Sequence, residues 1–286
     1  MRLIRLGAVL TLVCSSPIVA QTKPGVTFDQ KIISIKDNGG ATVSDTAVVH
    51  VTATAGNMKL DINGVMPEMN NVPGGKGVVM LLGDGGSKMT FIFAEKKQYM
   101  TFNPIQMMEG VEKMMAGMGA KMTLDTALTK VTFDSLGAGP VIDGHPTLHY
   151  RITSRMHMSM SIMGSNTEMD EQSIEDMSTT LDYPDMRDVS QSLNKFGEVF
   201  SNSFGFVKGY LDKVLKAHDR VRGFPLRVIK QETRNAEGTT QKSLDTTYIT
   251  NIRRESVPDA TFAIPAGYQQ FAMPMPQTID TTTTRQ

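Results

Sequence analysis

Hydrophobic and polar residues alternate over much of this chain with the period of two that marks a half-buried strand. Met58 to Asn63 (M-K-L-D-I-N) is the cleanest case, with Met58, Leu60 and Ile62 on one face and Lys59, Asp61 and Asn63 on the other. Ala47–Thr54 alternates less strictly. Val78–Leu82 runs into Gly83-Asp84-Gly85-Gly86, a hairpin signal, and Lys88–Ala94 returns. Tyr99–Phe102, Thr129–Leu136, Thr147–Met163, Gln172–Leu181, Phe224–Thr233 and Thr239–Ile252 read as further strands. Short Gly, Asp and Asn turns between them predict an antiparallel meander.

Two segments carry helical spacing instead. Asn103-Pro104-Ile105-Gln106 offers an N-cap, a proline at the first helical position and a glutamine three residues after the cap. Met108, Val111, Met115, Met118 and Met122 then recur at spacings of three and four, giving a methionine-faced helix weakened by Gly117 and Gly119. A second helix is predicted through Val189, Leu193, Phe196, Phe200, Phe204, Val207, Leu211 and Val214, with Gly223 and Pro225 at its exit. A stripe of small residues (Gly197, Ser201, Gly205, Gly209) lies beside that apolar row and suits close seating.

The first twenty residues read as a signal peptide. Arg2 and Arg5 precede the apolar run Leu6–Val13, and Pro17-Ile18-Val19-Ala20 ends on a small residue suited to cleavage. Val13 beside Cys14 makes a poor lipobox, so plain export is preferred over a lipid anchor. The expected location is the periplasm, with secretion as the alternative. Residues 21–270 are expected to form a single β-rich domain, and 271–286, rich in proline and then threonine, a disordered tail. Cleavage removes the chain's one cysteine, which excludes disulfides, thiolate catalysis and cysteine metal sites. Charge is balanced, which argues against nucleic acid. No stretch has the ~18 apolar residues of a transmembrane helix.

No constellation points to catalysis. Gly83–Lys88 lacks phosphate-loop spacing, and Pro146 between His145 and His149 forbids a helical pair of metal ligands. The carboxylates read as scattered over turns and solvated strand faces. No enzyme and no cofactor are expected.

The remaining signal is methionine, at 22 residues with no tryptophan. In Arg155–Met163 (R-M-H-M-S-M-S-I-M), Met156, Met158, Met160 and Ile162 share a strand face, opposite His157, Ser159 and Ser161. Thioether side chains are soft and adaptable, so such a face suits an irregular apolar ligand. Met156, Met158, Met160, Met108, Met115, Phe91 and Phe93 are the expected lining. Two other readings stay open: a copper(I) site built from these thioethers and His157, and a solid core in a structural envelope protein.

Three motifs carry a family resemblance. They are Val141-Ile142-Asp143-Gly144-His145 with Leu148-His149-Tyr150-Arg151, Gly223-Phe224-Pro225-Leu226-Arg227, and Val257-Pro258 with Phe262-Ala263-Ile264-Pro265-Ala266-Gly267-Tyr268. Together they resemble a bacterial exported family of unknown function, itself similar to the LolA/LolB-type lipoprotein carriers. The resemblance implies a mainly β (α+β) fold, LolA-like: an antiparallel curved sheet or half-barrel with helices across its concave face. It implies a ligand such as a lipid or lipoprotein acyl chain held between sheet and helices.

Overall fold

Long ladders dominate the computed structural model, which describes residues 22–37, 41–64, 77–83, 87–162, 164–186 and 207–271. The predicted signal peptide, residues 84–86 of the predicted turn, most of the second predicted helix and the expected tail beyond residue 271 lie outside them. The described strands are β1 (Thr22–Asp37), β2 (Thr42–Thr54), β3 (Asn57–Gly64), β4 (Val78–Gly83), β5 (Lys88–Phe93), β6 (Gln98–Phe102) and β7 (Lys121–Leu124). They continue with β8 (Lys130–Ala138), β9 (Leu148–Ile162), β10 (Ser165–Thr180), β11 (Phe224–Ala236), β12 (Thr239–Pro258) and β13 (Gln269–Gln270). All belong to one open, curved sheet in the order β13-β6-β5-β4-β3-β2-β1-β12-β11-β10-β9-β7, with β8 also on the outer edge of β9. Every pairing is antiparallel except β13 on β6.

The predicted mainly β, antiparallel architecture is therefore present, with differences in its parts. Strand β1 was not foreseen, because Pro24, Gly25 and the Ile32-Ile33 pair blur its alternation. It sits between β2 and β12 and joins the two halves of the sheet. Gly25 is required there: a Cβ would lie 2.7 Å from the Ala53 carbonyl oxygen and 2.6 Å from a Val257 methyl.

Helix α1 (Pro104–Gly117) starts as predicted, with Asn103 Oδ1 accepting from the Ile105 amide at 2.9 Å. It ends sooner than the spacing suggested. Ala120 N–H donates to the Met115 carbonyl at 2.8 Å and Gly119 N–H to that of Ala116 at 3.0 Å, with Gly119 at φ +67°. This is a Schellman stop, and it delivers Met122 to β7 rather than to a helix face. Met107 and Met114 on α1, and Met118 just past its end, remain exposed. Helix α2 (Lys208–His218) lies against β8 and β9, and stops short of the Gly223-Pro225 exit.

The resemblance motifs prove to be joints. Asp143 (φ +49°) and Gly144 (φ +83°) make the two-residue hairpin bridged by Ile142 and His145. Gly223 (φ +84°) passes so close to β10 that a Cβ would sit 2.5 Å from the Thr180 carbonyl oxygen. The last motif is a strap. After β12, residues 259–262 turn against β3, and Phe262, Ala263 and Ile264 meet Leu81 and Thr90 around a cleft of about 260 Å³. The strap ends as β13, bonded to β6 through Gln269 N–H to the Lys97 carbonyl and Phe271 N–H to that of Tyr99, both at 2.9 Å.

Register defines a core face. Its apolar half gathers Phe28, Val49, Val51, Met58, Leu82 and Met89 with Phe224, Leu226 and Ile249. Met186 packs into it from the turn after β10, at 1% exposure. Tyr183 bridges His145 and Phe224, and Phe224 meets Phe28 edge-on at 5.5 Å.

The glycines give a stability test. Gly223→Ala is expected to cost more than about 1 kcal/mol, since it combines a positive φ with a backbone clash. Gly117→Ala, in open space at the end of α1, is expected to stabilise by about 0.4–1 kcal/mol. Urea denaturation midpoints of the two variants check both signs.

Candidate functional site

The β9–β10 ladder runs without a slip from Leu148 opposite Thr179 to Ile162 opposite Ser165. Strict alternation therefore holds across it. Met156 and Met158 point to the core face at 7% exposure each, and Met160 beside them is half-buried. On β10 they face Glu171, Met169 and Thr167; on β7, Leu124 opposes Met158 and Met122 opposes Met160. The result is a contiguous patch of Met122, Leu124, Met156, Met158, Met160 and Met169. Sequence reading found three of the six. The Lys121-Met122-Thr123-Leu124 alternation behind Gly119 was the signal for two others.

His157 lies on the opposite face, its Nδ1 3.2 Å from Asp170 Oδ1. A ligand set of His157 with the three methionines is thus not assembled. Among the described residues, no three His, Cys, Asp or Glu side chains are grouped to hold a metal.

The other expected lining residues lie elsewhere. Met115 is half-buried on α1, and the side chain of Met108 is outside the described residues. Phe91 stacks on Phe102 at 5.7 Å, and Phe93 meets Phe271 edge-on at 6.3 Å beside Val78 and Met100. They share the core face, but seven strands separate β5 from β9 in the sheet order.

Next to the thioether patch the core face turns polar. One cross-strand row reads Met156–Glu171–Arg234–Gln241, the next Ser154–Ser173–Glu232–Ser243–Lys36, and the third Ile152–Glu175–Lys230–Asp245–Ser34. Ion pairs tie this band together. Arg234 donates from Nε (3.2 Å) and Nη2 (2.8 Å) to Glu171, Lys230 Nζ lies 2.8 Å from Glu232, and Ser34 donates to Asp245 at 2.5 Å. The expectation that the carboxylates are scattered and solvated is wrong here. The side chains of Glu171 and Glu175 are only 12% and 20% exposed, because opposite charges on β11 and a helix cover them.

Helix α2 is that cover. Ala217 packs with Tyr150, Ile152 and Met177, the Tyr210 hydroxyl lies 2.9 Å from Ser154 Oγ, and His218 Nε2 lies 3.3 Å from Glu175 Oε2. Burial raises the Tyr210 pKa despite the Ser154 bond. For His218 burial opposes the charge, but the hydrogen bond and charge of Glu175 with the charge of Asp219 outweigh it, and the pKa is raised. An imidazolium in the last helical turn also complements the helix dipole. Lys230 follows the same logic: burial disfavours its charge, yet Glu232, Glu171 and Glu175 hold it protonated. Between β1, β11 and β12 the band opens into a cleft of about 310 Å³ lined by Lys36, Lys230, Glu232, Arg234, Gln241, Lys242, Ser243 and Asp245.

All five histidines sit beside carboxylates. Besides His157 and His218 these are His50 with Asp29 (2.7 Å), His145 with Asp182 (2.7 Å) and His149 with Asp176 (3.0 Å). Asp29 is lowered by hydrogen bonds from Asn251 and then His50, and Asp170 by His157 and Arg155. Burial would raise Asp176, but two bonds from Arg151 and one from His149 bring it down.

No family model matches the chain, and no curated protein does. The solved structures it matches include PNGF-II (9% identity, TM-score 0.27), covering 85% of this chain and 30% of that one. They include an outer membrane lipoprotein-sorting protein domain from Vibrio parahaemolyticus (6% identity, TM-score 0.27), covering 84% and 89%. A DUF1329 family protein from Desulfovibrio piger follows (10% identity, TM-score 0.27), covering 85% and 90%. The last two are of the kinds that the three sequence motifs resemble. At these scores the architecture rests on the strand order and register given above.

The ionisation pattern has a measurable consequence. The raised His218 pKa contributes stability that is complete below about pH 6.5 and lost as pH climbs through the higher folded value. The lowered Asp29, Asp170 and Asp176 contribute stability present above about pH 3.9 and lost as pH falls through their folded values. Urea midpoints are therefore expected to peak between about pH 4 and 6.5, and His218→Gln should flatten the alkaline limb.

Proposed function

We propose that this chain is an exported, periplasmic binding protein, not an enzyme, that holds an apolar ligand such as a lipid or lipoprotein acyl chain. The observation that carries this reading is the six-residue patch where β7, β9 and β10 meet on the core face. Five of those six residues are methionines, three of them (Met122, Met160 and Met169) only half-buried, and a methionine side chain can reorient about three bonds to admit a chain. Helix α2, seated on the same face through Tyr210 and His218, supports a sheltered ligand. Each methylene transferred from water to such a surface contributes about 0.8 kcal/mol, so a medium-length acyl chain binds without a polar anchor. Among the described residues no helix is long and apolar enough to cross a membrane.

Mass spectrometry of organic extracts from the natively purified protein is expected to find lipid, and a fluorescent fatty acid to bind. Met160→Gln with Met169→Gln, both at half-buried positions, should weaken that binding by roughly 5- to 30-fold, about 1–2 kcal/mol, with the melting temperature little changed. Lipid-free protein that ignores the probe would leave a solid-cored structural protein instead.

A further inference from the structure

Strand β8 is a long open border of this sheet. It pairs with β9, and among the described residues no strand takes its other edge. Such an edge presents a row of main-chain donors and acceptors to any strand that matches it. Two features bound the open stretch. At one end the Thr129 carbonyl already accepts from Lys213 Nζ at 3.2 Å. At the other the ladder to β9 skips Leu136, between Ser135 opposite Tyr150 and Gly137 opposite His149. Lys130 to Ser135 remain.

Charge along this stretch is uncompensated in two opposite senses. Lys130, Thr132 and Asp134 are exposed and share the face opposite the core. Lys130 stands directly across from Arg155, a like charge, while Arg155 gives its own bond to Asp170. Among the described residues no carboxylate pairs with Lys130. Asp134 stands across from Arg151, but that guanidinium donates through two nitrogens to Asp176. The two aspartates thus share one cation. Opposite charges directly across a ladder stabilise it and like charges oppose it. On their open side, Lys130 therefore suits a carboxylate and Asp134 a cation.

A second copy of the chain supplies both at once. Antiparallel pairing centred on Thr132 sets Lys130 against Asp134 of the second copy, and by symmetry the same pair recurs across the two-fold axis. On the core face this register sets Val131 against Phe133 of the second copy. Leu128 and Leu136, exposed at 45% and 47%, each stand four residues from Thr132, in opposite directions. The two-fold brings Leu128 of one copy level with Leu136 of the other at both ends of the ladder. A slip by one residue would mismatch the faces, and a slip by two would part each charge from its counter-charge. We infer that the chain forms a two-fold dimer by pairing β8 edge to edge with β8 of a second copy in the register centred on Thr132. A ladder this short makes a small interface, so the association is weak and reversible. It is independent of the reading under Proposed function.

Sedimentation velocity of the mature full-length chain at low salt, over rising protein concentration, is expected to show a monomer–dimer equilibrium. Lys130→Asp and Asp134→Lys should each raise the dimer dissociation constant at least about tenfold, because symmetry counts every altered pair twice and turns attraction into repulsion. Mixing the two single variants should restore dimers, since each then meets the opposite charge at both positions. Both reversals in one chain should restore self-association for the same reason. A chain that stays monomeric at every concentration overturns the inference. So does a dimer that neither reversal weakens, or one that neither mixing nor the double reversal restores. Melting temperatures show whether the variants are folded. Should Asp134→Lys lower it by setting a lysine across from Arg151, Lys130→Asp, which sets a carboxylate across from Arg155, carries the comparison.

Discussion

Side-chain alternation, locked in by long hydrogen-bonded ladders, governs everything else in this molecule. Strand β9 pairs with β10 over its whole length without a slip, and β1 pairs with both β2 and β12. A one-residue shift in any of these ladders would exchange the two faces of a strand. Met156 and Met158 would then turn outward, and His157 would take their place. Where the ladder does slip, the irregularity is local and occupied: Asn251, at φ +55° in β12 opposite the Thr27/Asp29 shift, donates to Asp29 at 2.7 Å.

The same alternation divides the core face by chemistry. Around β2 to β5 it is apolar except for Asp45 near the start of β2, and is closed by Met186, Tyr183 and Phe224. Toward the far ends of β9 to β12 it becomes a lattice of paired charges bordered by thioethers. Apolar burial is indifferent to direction, whereas a lattice of ion pairs works only in one register. The molecule thus gains cohesion from one half and positional definition from the other, and the candidate site lies on the second.

What the sequence made legible follows from range. Local features were readable: the Asn103 cap of α1, the Asp143-Gly144 turn, the starts of β11 and β12, and the alternation through Met156, Met158 and Met160. The polar band was not, because its partners are remote. Arg234 and Glu171 are 63 residues apart, and Ser34 and Asp245 are separated by 211. Each carboxylate alone looks like a solvated strand residue, and only pairing shows which opposite charge stands next to it. Met122 was misplaced for a local reason. Its spacing fits a helix, but Gly119 ends that helix first, and glycine at a C-terminal stop outranks periodicity. Strand β1 escaped because proline and glycine near its start mimic a loop, although the Ala53 carbonyl on one side and the Val257 side chain on the other demand the glycine.

The partner of β1 comes from almost the other end of the chain. Thr22 aligns with Pro258 and Asp37 with Lys242, and the edge of β6 waits for Gln269 and Gln270. During synthesis from the N-terminus, β1 to β6 therefore emerge with both of their outer borders unpaired. Neither border can be sealed until the final fifth of the polypeptide has appeared. Such dependence on distant contacts slows native assembly and keeps the nascent chain extended. Until then its two open strand borders are free to pair wrongly with another chain.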